Sequence, residues 1–250
     1  MIIRKSPGEV DRLRRAGRIT ASAIERVLEA VRPGITTAEL DAIAETSIRD
    51  AGATPSFKGY RGFPATICAS VNEEIVHGIP GRRRLAEGDL LSIDVGAIWD
   101  GYHGDSAVSL FVGEPPSGEA DKLVRVTEEA LEAGIAAIRP GARLSDISHA
   151  VEQVAAGAGF SVVREYVGHG IGRSLHEDPP IPNFGPPGRG PELRPGLVVA
   201  VEPMVNMGGW ETRLLKDGWT VVTADGSLSA HFEHTIAVTG DGHEVLTQRG

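Results

Sequence analysis

Cysteine is almost missing: Cys68 is the only one in 250 residues. A single thiol excludes an intramolecular disulfide and suits a reducing compartment, so a cytoplasmic protein is expected. Long apolar runs are missing too, and none approaches the roughly 20 residues that a bilayer span requires. The first residues, Met1-Ile2-Ile3-Arg4-Lys5-Ser6-Pro7, carry basic side chains but no apolar h-region. Neither a secretory signal nor a membrane partner is therefore expected. Positive charge is in deficit, with 25 Lys and Arg against 34 Asp and Glu and a net charge of −9. That balance argues against a nucleic-acid backbone as the main ligand. The arginine-rich patches at 12–18 and 82–84 are local and read as solvated faces. In contrast, Gly (32) and Pro (16) are plentiful and scattered among turns, which points to many short β connections. A chain of this length can bury roughly three-quarters of its unfolded surface, enough for one large domain or two fused small ones.

The rest of the chain is organised around residues 90–108. Two β-prone runs flank Asp100-Gly101, a dipeptide that favours the positive φ pair of a type I′ turn. With those two residues as the loop, cross-strand partners have numbers summing to 201, so Asp94 faces Ala107 and Asp105 shares that face. The two aspartates are then diagonal neighbours, roughly 7–8 Å apart between backbones. Carboxylates that close repel unless a proton or a cation neutralises them. Paired aspartates near a turn are often merely solvated. Here each sits inside an apolar run (Leu90-Leu91-Ser92-Ile93 before, Ala107-Val108-Ser109-Leu110-Phe111 after), where an unpaired charge is costly. A cation between them is the better reading.

Helix signals come in pairs. Ser6-Pro7-Gly8-Glu9 is a capping-box start with proline at the first helical position, and Arg32-Pro33-Gly34 stops that helix. Thr36-Thr37-Ala38-Glu39 caps a second helix that ends at Ala51-Gly52. A strand at Thr66–Val71 and a turn at His77-Gly78-Ile79-Pro80 precede the hairpin. A third helix runs to about Ile138, Arg139-Pro140-Gly141 stops it, and a fourth starts near Ser145. Shifting the first half by 107 residues superposes the two Arg-Pro-Gly stops and places Ala51-Gly52 on Ala158-Gly159. With one further residue, Leu85, Gly88 and Asp94 fall on Leu193, Gly196 and Glu202. Each half reads helix, helix, then antiparallel strands, an α+β unit repeated over about 1–113 and 114–250. Beyond a strand near 161–163, residues 180–196 read as a Pro/Gly-rich loop. Strands are expected at Leu197–Val201, Trp219–Thr223 and Ser229–Thr239, with Glu233 in mid-strand on the face opposite Phe232, His234 and Ile236.

Four acids thus lie within otherwise apolar strands: Asp94, Asp105, Glu202 and Glu233. His169 stands between glycines in Gly168-His169-Gly170-Ile171-Gly172. Carboxylates with one imidazole suit Mn, Fe, Co or Zn, and four carboxylates suit two ions that share a water and polarise a carbonyl. In this order the ligands resemble those of the methionine aminopeptidases, enzymes of the creatinase-like pita-bread fold. The likeness spans nearly the whole chain. It rests on the eleven-residue spacing from Asp94 to Asp105, Gly168–Gly172, Val201-Glu202-Pro203, Phe232-Glu233-His234-Thr235 and the Cys68–Pro80 segment.

The resemblance implies a single catalytic domain over 1–250 that removes the N-terminal methionine of nascent chains, preferring a small second residue. Two divalent ions are implied, with Asp94 on one, His169 and Glu202 on the other, and Asp105 and Glu233 bridging. Glu202 also becomes the general acid/base candidate. His77 and His176 match histidines that contact substrate and stabilise the tetrahedral intermediate. Tyr60, Phe63, Cys68, Leu175, Met204 and Trp219 fall around the methionine side chain, although Met204 reads rather as core. Leu175 departs from the aromatic residue and Phe63 from the tyrosine that the family leads one to expect. For the remaining histidines the ordinary expectation is a capped turn or a core position. His103 and His231, each two residues from a ligand on a shared face, are the exceptions most worth checking. Cys68 has no base beside it in the sequence pattern, so pocket lining is expected in place of nucleophilic attack. Only 26 positions separate His176 from Glu202. That spacing leaves no room for the helical insertion of type 2 enzymes. The chain also opens directly on the catalytic region, and the two facts together suggest type 1. The implied partners are nascent-chain N-termini, with the ribosome as the place of encounter, and the implied state is a monomer. Rival readings are an X-Pro aminopeptidase or prolidase with the same metal site, and a non-catalytic pita-bread module that binds peptides. Such modules lose ligands, whereas all five stand here.

Overall fold

Ser6 begins the first helix by offering its amide and hydroxyl to the Glu9 carboxylate, each at 2.9 Å. That exchange satisfies donors that a helix start otherwise leaves unpaired. The computed structural model describes residues 1–250. It has four helices: α1 (Pro7–Ala30), α2 (Thr37–Asp50), α3 (Gly118–Ala136) and α4 (Leu144–Gly157). No helix is long and apolar enough to cross a membrane.

The central hairpin pairs Leu90–Trp99 with Tyr102–Phe111 in an unbroken register from Trp99↔Tyr102 to Leu90↔Phe111, and Asp94 faces Ala107. Asp100 and Gly101 have φ of 48° and 77°, the pair of positive values that a type I′ turn requires. Strand Ile67–Val71 lies on the other side of Leu90–Trp99 and sets Cys68 opposite Asp94. Alternation then divides the sheet. Ile93, Val95 and Val108 join Ile19, Ile24 and Val27 of α1 and Leu40, Ala44 and Ile48 of α2 in the main core. Cys68, Asp94 and Asp105 take the opposite face.

A second sheet of five strands is ordered His243–Val245, His234–Val238, Val198–Val201, Gly168–Gly170, Glu177–Ile181. Two three-stranded sheets complete the fold, one of Ser229–His231, Met204–Asn206 and Ser161–Val162, the other of Thr212–Leu214, Val221–Thr223 and Glu74–Val76. The α+β pita-bread architecture expected from the sequence is the one observed.

Three details differ from the sequence reading. Ser229–Thr239 is not one strand. It changes sheets between Ser229–His231 and His234–Val238, and Glu233 sits at the break instead of in mid-strand. Second, Glu177–Ile181 is a strand despite Pro179 and Pro180, which it tolerates because it lies at the sheet edge. Third, the strand expected from Trp219 begins at Val221, since Asp217 first captures the amides of Trp219 and Thr220 in a turn.

Corresponding bonds occur in the two halves. Gly34 N–H donates to the Leu85 carbonyl at 2.7 Å and Gly141 N–H to that of Leu193 at 3.1 Å. Thr36 bridges Arg84, and Arg143 bridges Glu192. Gly34 and Gly141 hold φ of 88° and 84°, which suits residues without a Cβ.

Helix α1 meets the hairpin backbone to backbone. A Cβ on Gly104 would lie 2.6 Å from the Gly17 nitrogen, and one on Gly17 would lie 2.4 Å from the Leu246 carbonyl oxygen. Neither neighbour is a side chain that can turn away. Gly104→Ala should therefore destabilise the fold by about 1–3 kcal/mol through overpacking. Urea unfolding beside the wild-type protein measures this, and an unchanged midpoint would refute the tight contact.

Candidate metal centre

The two large sheets meet along one seam, and the acids stand on it. Ala107 and Glu233 exchange backbone hydrogen bonds, at 3.0 Å from Glu233 N–H and 3.3 Å from Ala107 N–H. On one side of this bridge the Thr235 hydroxyl accepts from Asp105 N–H at 3.0 Å and donates to the Asp105 carbonyl at 2.8 Å. On the other, the Ser109 hydroxyl accepts from His231 N–H at 2.8 Å and lies 2.9 Å from its carbonyl. Hydroxyls thus continue the pairing where the backbones have separated. The seam fixes Asp105, Glu233 and His231 against one another.

These residues open on a cavity of about 340 Å³. Its lining includes all five acid and histidine positions singled out from the sequence, Asp94, Asp105, His169, Glu202 and Glu233, together with His77 and His176. Donor atoms of Asp105, His169 and Glu233 all lie within 4.8 Å of one another. The His169 Nε2 is 3.4 Å from Glu202 Oε1 and 3.9 Å from Asp105 Oδ2. The glycines beside His169 have a packing role. A Cβ on Gly168 would meet the Ala200 carbonyl oxygen at 2.5 Å, and one on Gly170 that of Asp178 at 2.2 Å, so neighbouring strands impose them.

Burial dominates the electrostatics. It pushes Asp94 up to about 7 and moves Asp105, Glu202 and Glu233 well above the ordinary carboxylate range. Mutual repulsion adds to the last three. Burial also lowers His169 to about 3, so its ring is neutral. Its Nδ1 lies 2.9 Å from the Gly170 carbonyl, an acceptor only, which assigns the proton to Nδ1 and leaves the Nε2 lone pair facing the cavity. Oδ1 of Asp94, Oδ1 of Asp105 and Oε1 of Glu233 are buried with no hydrogen-bond partner. Orphaned carboxylate oxygens around a ring nitrogen with a free lone pair fit a divalent cation, and the hard oxygen and imidazole donors suit Mn, Fe, Co or Zn.

The remaining wall is largely apolar. Phe57, Tyr60, Phe63, Cys68, Leu175, Met204 and Trp219 line it, so every substrate-pocket position expected from the sequence reaches the cavity. Met204 does so while fully buried among Ile75, Val76, Val163 and Val221, so wall and core are one surface there. Phe63 and Trp219 meet edge to face at 5.1 Å. Tyr60 stacks on His176, its hydroxyl 2.9 Å from Nδ1. His77 holds a φ of 61°, an uncommon value for a side-chain-bearing residue, and packs edge-on against Tyr166 and Trp219. The Cys68 thiol is raised by burial and by the carboxylates of Asp94, Asp105 and Glu233, which leaves it protonated and a poor nucleophile.

Of the two doubtful histidines, His103 turns out of the cavity to the Ser56 hydroxyl at 3.0 Å. His231 turns in, with a buried Nε2 that has no partner. Its separation from Glu233 by two residues on one face was the available sign. Val76, Arg61, Glu165, Tyr166 and Val167 also line the cavity, and no sequence pattern marked them.

Comparison with known proteins agrees with this geometry. The model of metallopeptidase family M24 matches residues 11–240. Methionine aminopeptidase 1 of Bacillus subtilis is 56% identical over 248 residues, covering 99% of this chain and 100% of that protein. Methionine aminopeptidase 1 of Mycobacterium tuberculosis is 49% identical, covering 99% of this chain and 95% of that one. The crystal structure of the methionine aminopeptidase from Thermotoga maritima superposes with a TM-score of 0.98 at 46% identity, with both chains fully covered. The prolidase from Pyrococcus furiosus shares the fold at a TM-score of 0.82 and 22% identity, but this chain spans only 66% of it. With its carboxylate and histidine cluster placed as described, the chain belongs to metallopeptidase family M24.

Proposed function

We propose that this protein hydrolyses the peptide bond after an N-terminal methionine, as a metal-dependent aminopeptidase of the type 1 form. One observation carries the reading: the carboxylate and histidine cluster forms the floor of a cavity whose walls are aromatic, aliphatic and sulfur-bearing. Apolar, polarizable groups are what a thioether side chain prefers. Full-length likeness to proteins named methionine aminopeptidase supports it. Asp94, Asp105, His169, Glu202 and Glu233 would hold two divalent ions. When bound, these supply Lewis acidity for the scissile carbonyl and lower the pKa of water.

The chain's own residues do the rest. Glu202 takes the proton of the attacking water and returns it to the leaving amine. His176, held by Tyr60, and His77, fixed by its turn, offer N–H donors to the carbonyl oxygen as negative charge develops there. Phe63, Cys68, Leu175 and Trp219 surround the methionine side chain and exclude water from it. We read the chain as one catalytic domain built from two related halves, about 1–113 and 114–250. It would act as a cytoplasmic monomer on nascent N-termini, met at the ribosome.

A free α-amine is required on this reading. Mass spectrometry should find Met-Ala-Ser cleaved and its N-acetyl form intact; equal cleavage of both would overturn the assignment.

The histidines divide by role. His77→Ala and His176→Ala should lower kcat by about 100- to 1,000-fold, the usual worth of one donor to a developing oxyanion, while metal per chain is unchanged. His169→Ala should lose metal. Elemental analysis beside kcat separates the roles, and metal loss in all three variants would contradict the division.

Stability of the stripped protein should depend on pH in a definite direction. Asp94, raised by burial to about 7, and the three other acids, raised by burial and mutual repulsion, keep protons in the folded state that the unfolded chain has released by pH 6.5. Unfolding then releases protons, so rising pH favours the unfolded chain. The Tm of chelator-treated protein should fall between pH 6.5 and 8.5, and saturating Mn2+ should remove the slope. A Tm that climbs over this range without metal would refute the buried cluster.

A further inference from the structure

His231 ends strand Ser229–His231, opposite Met204, and its backbone is held at both N–H and carbonyl by Ser109. Ser109 is itself 2.7 Å from the Ser92 hydroxyl. The imidazole has no freedom to leave the site, because the ring is buried and its strand is pinned across the seam. Its Nε2 nevertheless has no hydrogen-bond partner and lies 3.9 Å from Glu202 Oε2. A ring nitrogen buried without a partner is costly, so a polar group must meet it in the working protein.

The candidates are an ion and Glu202. The Glu202 carboxylate lies between two imidazoles: Oε1 faces His169 Nε2 at 3.4 Å and Oε2 faces His231 Nε2. His169 has its proton on Nδ1, so its Nε2 cannot donate to Oε1, and a cation is the group that both can share. The other oxygen is left for His231. We propose that His231 is a positioning residue whose Nε2–H donates to Oε2 of Glu202, keeping Oε1 directed to the ion shared with His169. The assignment rests on the reading of Glu202 as a metal ligand. It makes the carboxylate's two oxygens inequivalent, one for the ion and one for the protein. Hydrogen bonds of this outer kind set the orientation of a ligand, and their loss typically costs 10- to 100-fold in metal affinity or activity.

The test compares wild-type protein with His231→Gln and His231→Leu, each stripped by chelator and titrated with Mn2+ alone, free Mn2+ being read by electron paramagnetic resonance. Glutamine retains an N–H donor and leucine does not. His231→Leu should bind Mn2+ about 10- to 100-fold more weakly and lose kcat on Met-Ala-Ser to a similar extent at unchanged KM. His231→Gln should stay within a few-fold of wild type in both. Leucine binding Mn2+ as tightly as wild type would overturn the proposal. So would a glutamine variant that binds Mn2+ tenfold or more weakly than wild type, an altered Co2+ absorption spectrum then marking the imidazole as a ligand itself. Should the leucine variant not fold, the glutamine variant decides alone, a tenfold or greater loss of Mn2+ affinity being fatal. Because Mn2+ uptake is read without substrate, wild-type protein that binds Mn2+ but leaves Met-Ala-Ser intact overturns the aminopeptidase reading while the affinities still judge His231. Wild type that takes up no Mn2+ overturns both.

Discussion

Four carboxylates line one cavity, and their repulsion is the constraint around which the structure is arranged. Asp94, Asp105, Glu202 and Glu233 are each driven toward the protonated form by burial, because an isolated charge in a low dielectric is far less stable than in water. A folded chain seldom keeps such a group of acids for stability, since apolar residues of similar volume do as well or better. The oxygens without partners on Asp94, Asp105 and Glu233 mark where compensation is due. The orphaned atoms face a neutral imidazole with its lone pair in the same cavity, so the compensation is a cation and not a set of protons.

Holding mutually repelling groups at fixed separations requires a stiff frame, and the seam supplies it. Ordinary ladder pairing between the sheets is reduced to the single bridge Ala107↔Glu233. On either side, Thr235 and Ser109 each satisfy both the N–H and the carbonyl of the residue opposite. A hydroxyl placed in this way accepts and donates at once, so the N–H and carbonyl of both Asp105 and His231 are paired where the sheets diverge. Behind the hairpin, Gly17 on Gly104 lets α1 rest directly on the strand that carries Asp105. The lateral seam and the close helix contact together confine Asp105 from two directions, which is the supporting shell that a precise site needs.

Much of this was legible in the chain itself. Asp100-Gly101 defines its own turn, and period-two alternation then sets both aspartates on one face; no tertiary information is needed for either step. The capping boxes at Ser6 and Thr36 are equally local. The change of sheet at Phe232–Glu233 was not legible, because Ser229–Thr239 alternates as a single strand would. What splits it is the partner available on each side, Met204–Asn206 before the break and Val198–Val201 after it. The strand at Glu177–Ile181 was hidden by its prolines, which only an edge position excuses. His231 and His103 looked alike in sequence, two residues from an acid on the same face. Ser56 captures one ring, whereas the other turns into the cavity beside Glu202, and that difference lies in residues far away in the chain.

The substrate wall depended least on local pattern, and the reason is physical. Phe63, Cys68, Leu175 and the rim residues Tyr60 and Trp219 pack with Leu13 of α1 and Tyr102 of the hairpin, so the pocket is an unfilled portion of a core cluster. A wall of that kind tolerates exchange among apolar side chains so long as volume is roughly kept. Leu175, where an aromatic residue was expected, therefore alters the shape of an apolar wall, whereas Phe63, where a tyrosine was expected, leaves that position without a hydroxyl. At the floor the situation is reversed. There the side chains are charged or polar, Glu202 facing His169 with one oxygen and His231 with the other while oxygens of Asp94, Asp105 and Glu233 lack partners, and a substitution changes the charge or the hydrogen-bonding capacity of the site. The cavity thus separates selection of an apolar side chain at its wall from hydrolytic chemistry at its floor. His77 and His176 line the same cavity.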